Sequence, residues 1–235
     1  TGEDYGDGFA AAMAAHFHAP VQHQRLERSL DVGQPSGTQL RADPHALRHG
    51  LSPRVYADYV QRVAFIGGES PGKTTLARVL AERIGTTWVA AYGRTLWEMQ
   101  GGDLGEPDLL RIAEEQPRRE DAAALTAQRW LFCDTTPLVT LGYSGWMFGT
   151  APQALLQAAL RPYDLLFLCA PDIAFDQAGT RVGESFRAQQ HAWYVRELQA
   201  RGVGYMLLEG DLETRIARVQ AALAERADNR FSVVA

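Results

Sequence analysis

The glycine-rich segment of residues 67–75 constrains the fold more than any other part of the sequence. It reads GGESPGKTT, and its Gly67, Gly72, Lys73 and Thr74 fit the spacing G-x-x-x-x-G-K-[S/T]. The apolar run VAFI precedes it, and leucine and valine recur at helical spacing across residues 74–84. A strand before this spacing and a helix after it are the context in which it forms a phosphate-binding loop.

The residue types of this segment suit the phosphates of ATP bound together with Mg²⁺. Glycines let the backbone N–H groups turn towards the phosphates, and the start of the following helix adds partial positive charge. Lys73 would neutralise the β- and γ-phosphate oxygens, and the Thr74 hydroxyl would ligate Mg²⁺. We predict that the residues that bind the nucleotide are Gly67, Gly68, Glu69, Ser70, Pro71, Gly72, Lys73, Thr74 and Thr75.

A carboxylate near the metal is expected at the end of a second strand. Asp134 follows the apolar run WLFC, which places it at the carboxyl edge of a parallel sheet, where ligands bind. We predict that Asp134 is a catalytic residue close to Mg²⁺, and the alternative is a simple strand-end cap. Asp172 ends another apolar run in a similar way, and a metal-linked role and a capping role both stay open for it.

Two arginines lie in the segment of residues 172–191. Arg181 is flanked by glycines that would permit movement, and Arg187 follows shortly after. In phosphoryl-transfer enzymes a lid often brings arginines onto the transferring phosphate, so we predict catalytic roles for both residues. The alternative is an exposed loop and helix start with ordinary surface arginines.

From residue 61 onwards, short apolar runs alternate with amphipathic stretches. This pattern predicts an α/β domain with the P-loop NTPase fold, in which helices cover both faces of a parallel sheet. A helix is predicted over residues 109–131, but none is predicted directly after the strand of residues 87–91 or directly after Asp134. Residues 1–60 hold most of the histidines and few apolar runs, and they predict a short, mostly helical N-terminal segment.

Composition excludes several classes of protein. A net charge of −5 argues against nucleic acid as a partner, since binding to phosphate backbones usually takes a basic surface. No apolar stretch is long enough to span a membrane, and the acidic start TGEDYGDG does not have the pattern of a signal peptide. The two cysteines, Cys133 and Cys169, fall in apolar runs and are predicted to be buried and unpaired. We therefore expect a cytoplasmic protein.

Several blocks together resemble a known family. In order they read GGESPGKTTL, TTWVAAYGR, GGD, FCDTTPLVT, YDLLFLCAPD, GTR and FR. They are similar to the nicotinamide riboside kinase domain of NadR-type bifunctional proteins and to related P-loop ATPases of the AAA family. The similarity covers residues 62–223. It implies ATP as phosphoryl donor, Mg²⁺ as cofactor and nicotinamide riboside as the suspected acceptor, with Tyr92 and Arg94 on the acceptor side.

The resemblance also bears on residues 1–60. NadR-type proteins carry a nucleotidyltransferase domain before the kinase domain, and such domains end in a phosphate motif at a helix start. Residues 36–41, from Ser36 to Arg41, are similar to that motif, and the alternative is an N-cap serine and a surface arginine. The resemblance thus implies a nucleotidyltransferase remnant over residues 1–60 and a kinase domain over residues 61–235, without adenylyl transfer.

Three departures from the family pattern concern the acceptor. Ala91, Thr136 and Ala178 stand where relatives commonly have a carboxylate. Such acids would bind ribose hydroxyls, a cationic pyridinium or a proton. Two functions stay open: a kinase that phosphorylates a nucleoside, or an ATP-binding regulatory module that does not. An inert remnant is a third alternative, and ATP would not stabilise such a protein.

Overall fold

The computed structural model describes residues 6–23, 35–69, 71–173 and 184–229. The chain divides into two compact units, Thr1–Ala42 and Asp43–Ala235. In the first unit the helices are α1 (Gly6–Phe17) and α2 (Gly37–Ala42). After a 3₁₀ turn at Arg48–Gly50, the elements of the second unit are α3 (Pro53–Tyr56), β1 (Gln61–Ile66), α4 (Lys73–Ile84), β2 (Thr87–Val89), α5 (Tyr92–Met99), α6 (Glu106–Ala124), β3 (Trp130–Cys133), α7 (Pro137–Phe148), α8 (Gln153–Ala158), β4 (Leu165–Cys169), α9 (Glu184–Ala200), β5 (Met206–Leu208) and α10 (Leu212–Asn229).

The five strands form one sheet in the order β2-β3-β1-β4-β5, and every pair is parallel. In the register, Val63 pairs with Phe132 of β3 and Phe65 pairs with Phe167 of β4. The Phe65 ring stacks between the rings of Phe132 and Phe167, with centroids 6.1 and 5.7 Å away. Because parallel strands share one carboxyl edge, the segments after β1, β3, β4 and β5 converge there.

Two hydrophobic cores lie on the two faces of the sheet. Alternate residues of a strand point to opposite faces, so Phe65 packs with α4 and α10, whereas Ile66 packs with α5 to α9. Both faces are covered, which explains why the strands are apolar at nearly every position. The predicted α/β fold with a parallel sheet and helices on both faces is confirmed. Among the described residues, no helix combines the length and the apolar character needed to cross a membrane.

The predicted elements of the second unit differ from the observed ones in several places. The helix predicted over residues 109–131 ends at Ala124, because Trp130 begins β3. Helices α5 and α7 were not predicted. Residues 43–60 belong to the second unit, where Tyr56 and Val60 are buried in its core. The derivation of residues 1–60 from a nucleotidyltransferase stays a prediction.

Within the first unit, α2 begins with a reciprocal cap. The Gln39 backbone N–H donates to the Ser36 hydroxyl over 3.3 Å, and the Ser36 N–H donates to the Gln39 side-chain oxygen over 2.7 Å. This geometry agrees with the alternative interpretation of residues 36–41, in which Ser36 is an N-cap. Arg41 is exposed at the end of the same helix. The phosphate motif proposed for residues 36–41 stays a prediction.

Candidate active site

The loop between β1 and α4 needs glycine at two positions. Gly67 has φ 143°, and a Cβ there would lie 2.8 Å from the Cys169 carbonyl oxygen. Gly72 has φ 77° and is the N-cap of α4. Both φ values are positive, and residues with a side chain rarely adopt such backbone conformations. Together the two glycines turn the chain from the strand into the helix. The predicted phosphate loop therefore has the backbone geometry that its glycines imply.

Lys73 begins α4, and its side chain lies back over the loop. Its Nζ donates to the carbonyl oxygens of Gly67 and Gly68, over 2.9 and 2.7 Å. Burial lowers the pKa of Lys73, whereas the carboxylate of Asp134 acts in the opposite direction. The ammonium group is thus held at the centre of the loop, close to the acid that ends β3.

Thr74 and Asp134 meet at the carboxyl edge of the sheet. The Thr74 hydroxyl donates a 2.6 Å hydrogen bond to Oδ2 of Asp134, which is 3% exposed. The other carboxylate oxygen, Oδ1, is buried and has no hydrogen-bond partner among the described residues. Such a hydroxyl and a carboxylate with spare acceptor capacity suit a hard cation.

Thr74 and Asp134 together supply too few ligands for a metal that is bound by protein side chains alone, but they are sufficient for Mg²⁺. The described ranges contain no group of three or more histidine, cysteine or acidic residues that could hold a metal ion. Mg²⁺ does not require one, because it typically binds through one or two protein oxygens together with phosphate oxygens and water. Thr74 and Asp134 are therefore the residues that would hold it. Thr75, also predicted to bind the nucleotide, is exposed at the start of α4.

Glu69 has a different environment from the rest of the loop. It is 6% exposed, its backbone N–H donates to the Gln190 side-chain oxygen over 2.9 Å, and its Oε1 accepts from the Tyr143 hydroxyl over 3.5 Å. Burial, with a smaller contribution from Glu69, raises the pKa of Tyr143 to about 12. A carboxylate repels phosphate, so any contact of Glu69 with the nucleotide would come from its backbone, and that contact stays a prediction. The Glu69 side chain faces residues of α7 and α9 instead.

An aromatic cluster continues from Tyr143 along α7 and α9. Trp146 lies at its centre and makes edge-on contacts with the rings of the other members, at centroid distances of 5.3 to 6.1 Å. Those members are Tyr143, Phe186, Trp193 and Tyr194. This geometry is favourable for aromatic pairs, and it provides an apolar wall beside the buried Glu69 carboxylate.

The two residues predicted to contact the acceptor, Tyr92 and Arg94, differ in their exposure to solvent. Tyr92 is 5% exposed in the core, and the Arg119 guanidinium lies 4.1 Å from the centroid of its ring. Arg94 is exposed, and its charge contributes to the lowered pKa of Lys73 and opposes the rise in the pKa of Tyr143. Arg94 therefore lies near the loop, whereas contact of Tyr92 with an acceptor stays a prediction that its burial does not favour.

Arg187 does not occupy an exposed lid. It lies on α9, is 1% exposed, and donates from Nη2 to the carbonyl oxygen of Ile173 over 2.7 Å. Burial lowers its pKa. The carbonyl oxygen of Arg187 also approaches Gly68, at 3.1 Å from where a Cβ would lie. This arginine is part of the packing around the phosphate loop. Arg181, Ser70 and Ala178 lie outside the described residues.

The sequence interpretation missed several residues around the site. Arg215 of α10, which is buried, was missed; it pairs with Asp172, the residue for which a metal-linked and a capping role were left open, and Asp172 also accepts from the Gly210 N–H over 2.6 Å. Gln190 and Tyr143, which surround Glu69, were missed too. A usable signal exists for two of these: Arg215 lies in the apolar stripe of α10 with Ile216 and Val219, and Gln190 lies on the buried face of α9 with Tyr194. A polar residue within an apolar helix face needs a partner inside the protein.

A family model described as an AAA domain matches residues 62–215. The chain belongs to this AAA-domain family. The match begins in β1 and ends early in α10, so it includes the phosphate loop, Asp134 and Arg215. The nucleotide-binding P-loop of this AAA domain is thus supported by the motif, by the geometry and by the family.

Similar proteins include NadR. The chain is 29% identical over 192 residues to the trifunctional NAD biosynthesis/regulator protein NadR of Escherichia coli (strain K12), covering 78% of this chain and 47% of that protein. It therefore spans about half the length of this curated relative. Two solved NadR structures share its fold at 22% identity. The complex with NR has a TM-score of 0.68 and covers 93% of this chain and 66% of the other; the complex with NAD and AMP-PNP has a TM-score of 0.64, with 84% and 57% covered.

Proposed function

We propose that this AAA domain transfers the γ-phosphoryl group of ATP to a hydroxyl of a nucleoside, with nicotinamide riboside as the first candidate acceptor. The observation that carries the proposal is the pairing of Thr74 with Asp134 beside Lys73 in the phosphate loop. P-loop enzymes that transfer phosphoryl groups use this combination of lysine, hydroxyl and second-strand carboxylate.

The similarity to NadR supports both substrates. The curated relative is named for NAD biosynthesis, and the two solved structures hold AMP-PNP, an ATP analogue, and NR, which we take as nicotinamide riboside. Identity of 22–29% and coverage of about half of the relative leave substrate and activity as proposals for this chain.

The surroundings of Glu69 support a cationic acceptor. Nicotinamide riboside carries a positively charged pyridinium, and a buried carboxylate beside aromatic rings suits such a group. Glu69 and the aromatic cluster around Trp146 provide both features. Glu69 thereby offers one negative charge in a site where Ala91 and Thr136 lack the carboxylates common in relatives.

Each described residue of the site would have its own role in phosphoryl transfer. Lys73 would exchange its bonds to the Gly67 and Gly68 carbonyls for phosphate oxygens and so stabilise charge on the transferring group. Asp134 would orient the acceptor hydroxyl and accept its proton. Bound Mg²⁺, held by Thr74 and Asp134, would supply neutralisation of phosphate charge. Arg94 would lie on the acceptor side.

The test is a product assay read by mass spectrometry. Purified protein is incubated with Mg-ATP and a nucleoside panel that includes nicotinamide riboside. The controls are Lys73→Ala and, further along the same helix, Arg83→Ala, which removes only an exposed pair with Glu213. We expect a phosphorylated nucleoside from the wild type and from Arg83→Ala but not from Lys73→Ala. ATP binding without any phosphorylated nucleoside would refute the kinase.

An ATP-binding regulatory module is the second candidate. Two positions favour it. The Thr136 hydroxyl is buried without a hydrogen-bond partner among the described residues, and Ala91, the N-cap of α5, has no side chain that could bind a ligand or cap the helix. Neither position supplies an acceptor-binding acid. This function predicts ATP binding with slow hydrolysis that does not depend on any nucleoside, so the same assay with phosphate release as a second readout separates the two functions.

A further inference from the structure

Arg215 of α10 is charged and yet 1% exposed. Its Nη1 donates to the carbonyl oxygen of Pro71 over 2.6 Å, and its Nε donates to that of Gly210 over 2.9 Å. Its Nη2 donates to the carbonyl oxygen of Ala170 over 3.1 Å and to the carboxylate of Asp172. One guanidinium thus joins the phosphate loop, the end of β4 and the turn after β5.

The buried charge of Arg215 is balanced by Asp172. The second oxygen of that carboxylate accepts from the Gly210 backbone N–H over 2.6 Å, which fixes the acid in place. A buried charge without such a partner would be strongly destabilising. The Pro71 carbonyl is the acceptor for Nη1 of this buried guanidinium, and the same bond fixes the direction in which that loop carbonyl points.

The Pro71 carbonyl and the Gly72 N–H belong to one peptide unit. No cis peptide bond occurs in the described residues, and in a trans unit the C=O and the following N–H point in opposite directions. A carbonyl held by Arg215 therefore turns the Gly72 N–H away from Arg215. Gly72 has φ 77° and no side chain, so the peptide itself offers little resistance to turning over. Because Pro71 has no N–H, the Gly72 donor matters more to the loop.

We propose that Arg215 is a positioning residue for nucleotide binding, which holds the Pro71–Gly72 peptide so that the Gly72 N–H faces the phosphates. The inference rests on the proposed function only for ATP at this loop and not on the acceptor. It assigns to α10, more than 140 residues along the chain from Pro71, a part in shaping the phosphate site.

The experiment measures ATP affinity by calorimetry on the full chain. Arg215→Met removes all four bonds, and Arg215→Lys keeps a charge for Asp172 but cannot reach every oxygen. The matched control is Arg161→Met, which removes an arginine paired with the buried Glu120 over 3.0 Å. Arg161 precedes β4, at the opposite edge of the sheet from the loop contacts of Arg215, which follow β1 and β4. We expect Arg215→Met to raise the Kd for ATP about tenfold or more, Arg215→Lys to raise it less, and Arg161→Met to change it less than about twofold.

A second readout follows the Gly72 amide directly. In ¹⁵N-labelled protein without nucleotide, we expect its resonance to move in Arg215→Lys and to stay in place in Arg161→Met. The proposal is overturned if the folded Arg215 variants bind ATP within about twofold of the wild type, or if the wild type binds no ATP. Should Arg215→Met fail to fold, Arg215→Lys decides. Loss of the nucleoside kinase proposal, with ATP binding intact, would leave the role of Arg215 unaffected.

Discussion

The Thr74 hydroxyl donates a 2.6 Å hydrogen bond to the carboxylate of Asp134, which lies 60 residues further along the chain. The contact joins the first turn of α4 to the end of β3, and it leaves Oδ1 of Asp134 buried without a partner among the described residues. A buried carboxylate oxygen without a partner carries a desolvation cost. We interpret this cost as offset when a cation with its bound phosphates occupies the place beside it.

The Thr74 hydroxyl should therefore contribute to ATP affinity only when Mg²⁺ is present. If the Thr74 hydroxyl ligates Mg²⁺, we expect Thr74→Ala to weaken ATP binding about tenfold in Mg²⁺ and to have little effect in EDTA, because the lost oxygen would be a metal ligand. Thr74→Ser keeps the hydroxyl and serves as the control, with near wild-type affinity. Titration with ATP under both conditions measures the effect. An equal loss in Mg²⁺ and in EDTA would contradict a metal-linked role.

Glu69→Gln tests whether the buried carboxylate recognises the acceptor or the nucleotide. The change preserves size and leaves the backbone bond to Gln190, but it removes the charge. We expect the Kd for nicotinamide riboside to rise about tenfold and the Kd for ATP to change less than about twofold, since a carboxylate favours a cation and repels phosphate.

Glu98→Gln, at an exposed position of α5, is the matched control and should change neither affinity. Direct titration with each ligand provides the measurement. An unchanged affinity for nicotinamide riboside in Glu69→Gln would remove the argument for a cationic acceptor.

The parts of this protein that sequence predicts well are those set by local pattern. The phosphate loop needs its glycines at fixed spacing, and strands buried on both faces are apolar throughout, so the loop, the sheet and the position of Asp134 follow from neighbouring residues. Helix α7 was missed because it begins with Pro137 directly after a strand-end motif and contains Gly142 and Gly145, which are poor helix formers. Packing of α7 against α6 and α8 stabilises it instead.

The environment of the loop could not be predicted in the same way. Arg215 and Pro71 are 144 residues apart, and Gln190 and Glu69 are 121 residues apart, so only the tertiary structure brings each pair together. Arg187 was predicted to lie in an exposed lid, and its catalytic role stays a prediction. Its sequence neighbours are typical of an exposed lid, but the helical register places it on the buried face of α9.

A pH effect is expected from Glu120 of α6, which is fully buried. Its carboxylate accepts from Arg161 Nε over 3.0 Å and from the Tyr163 hydroxyl over 3.1 Å. Burial raises the pKa of Glu120 to about 6, although the charge of Arg161 acts in the opposite direction. The folded protein therefore binds this proton more tightly than the unfolded chain, in which the pKa is near 4.5.

It follows that Glu120 makes the protein less stable as pH rises from 4.5 to 6. The loss is about 2 kcal/mol, since one pKa unit corresponds to about 1.4 kcal/mol, and above pH 6 it stays constant. We expect the free energy of unfolding of the wild type, minus that of Glu120→Gln, to fall by this amount across the interval. Urea unfolding at several pH values measures the difference. A flat or rising difference would show that the Glu120 carboxyl titrates normally.

Alanine substitutions at two glycines of α7 test the packing of the aromatic cluster, because only one of these glycines contacts it. A Cβ on Gly142 would lie 2.9 Å from Cη2 of Trp146 and 3.1 Å from Cζ3 of Trp193, whereas a Cβ on Gly145 would meet no atom within 4 Å. In an open helical position alanine is favoured over glycine by about 1 kcal/mol, so Gly145→Ala should stabilise the protein. At Gly142 the same change forces two packed rings apart.

We expect Gly142→Ala to lower the free energy of unfolding by about 1–3 kcal/mol, the usual cost of overpacking. It should also weaken binding of nicotinamide riboside, because the Trp146 ring contacts that of Tyr143 at a centroid distance of 5.4 Å and Tyr143 donates to Glu69. Denaturant unfolding and ligand titration of both variants measure the two effects. If Gly142→Ala were as stable as Gly145→Ala, the rings would yield easily, and the cluster would not be the rigid wall that a cationic acceptor requires.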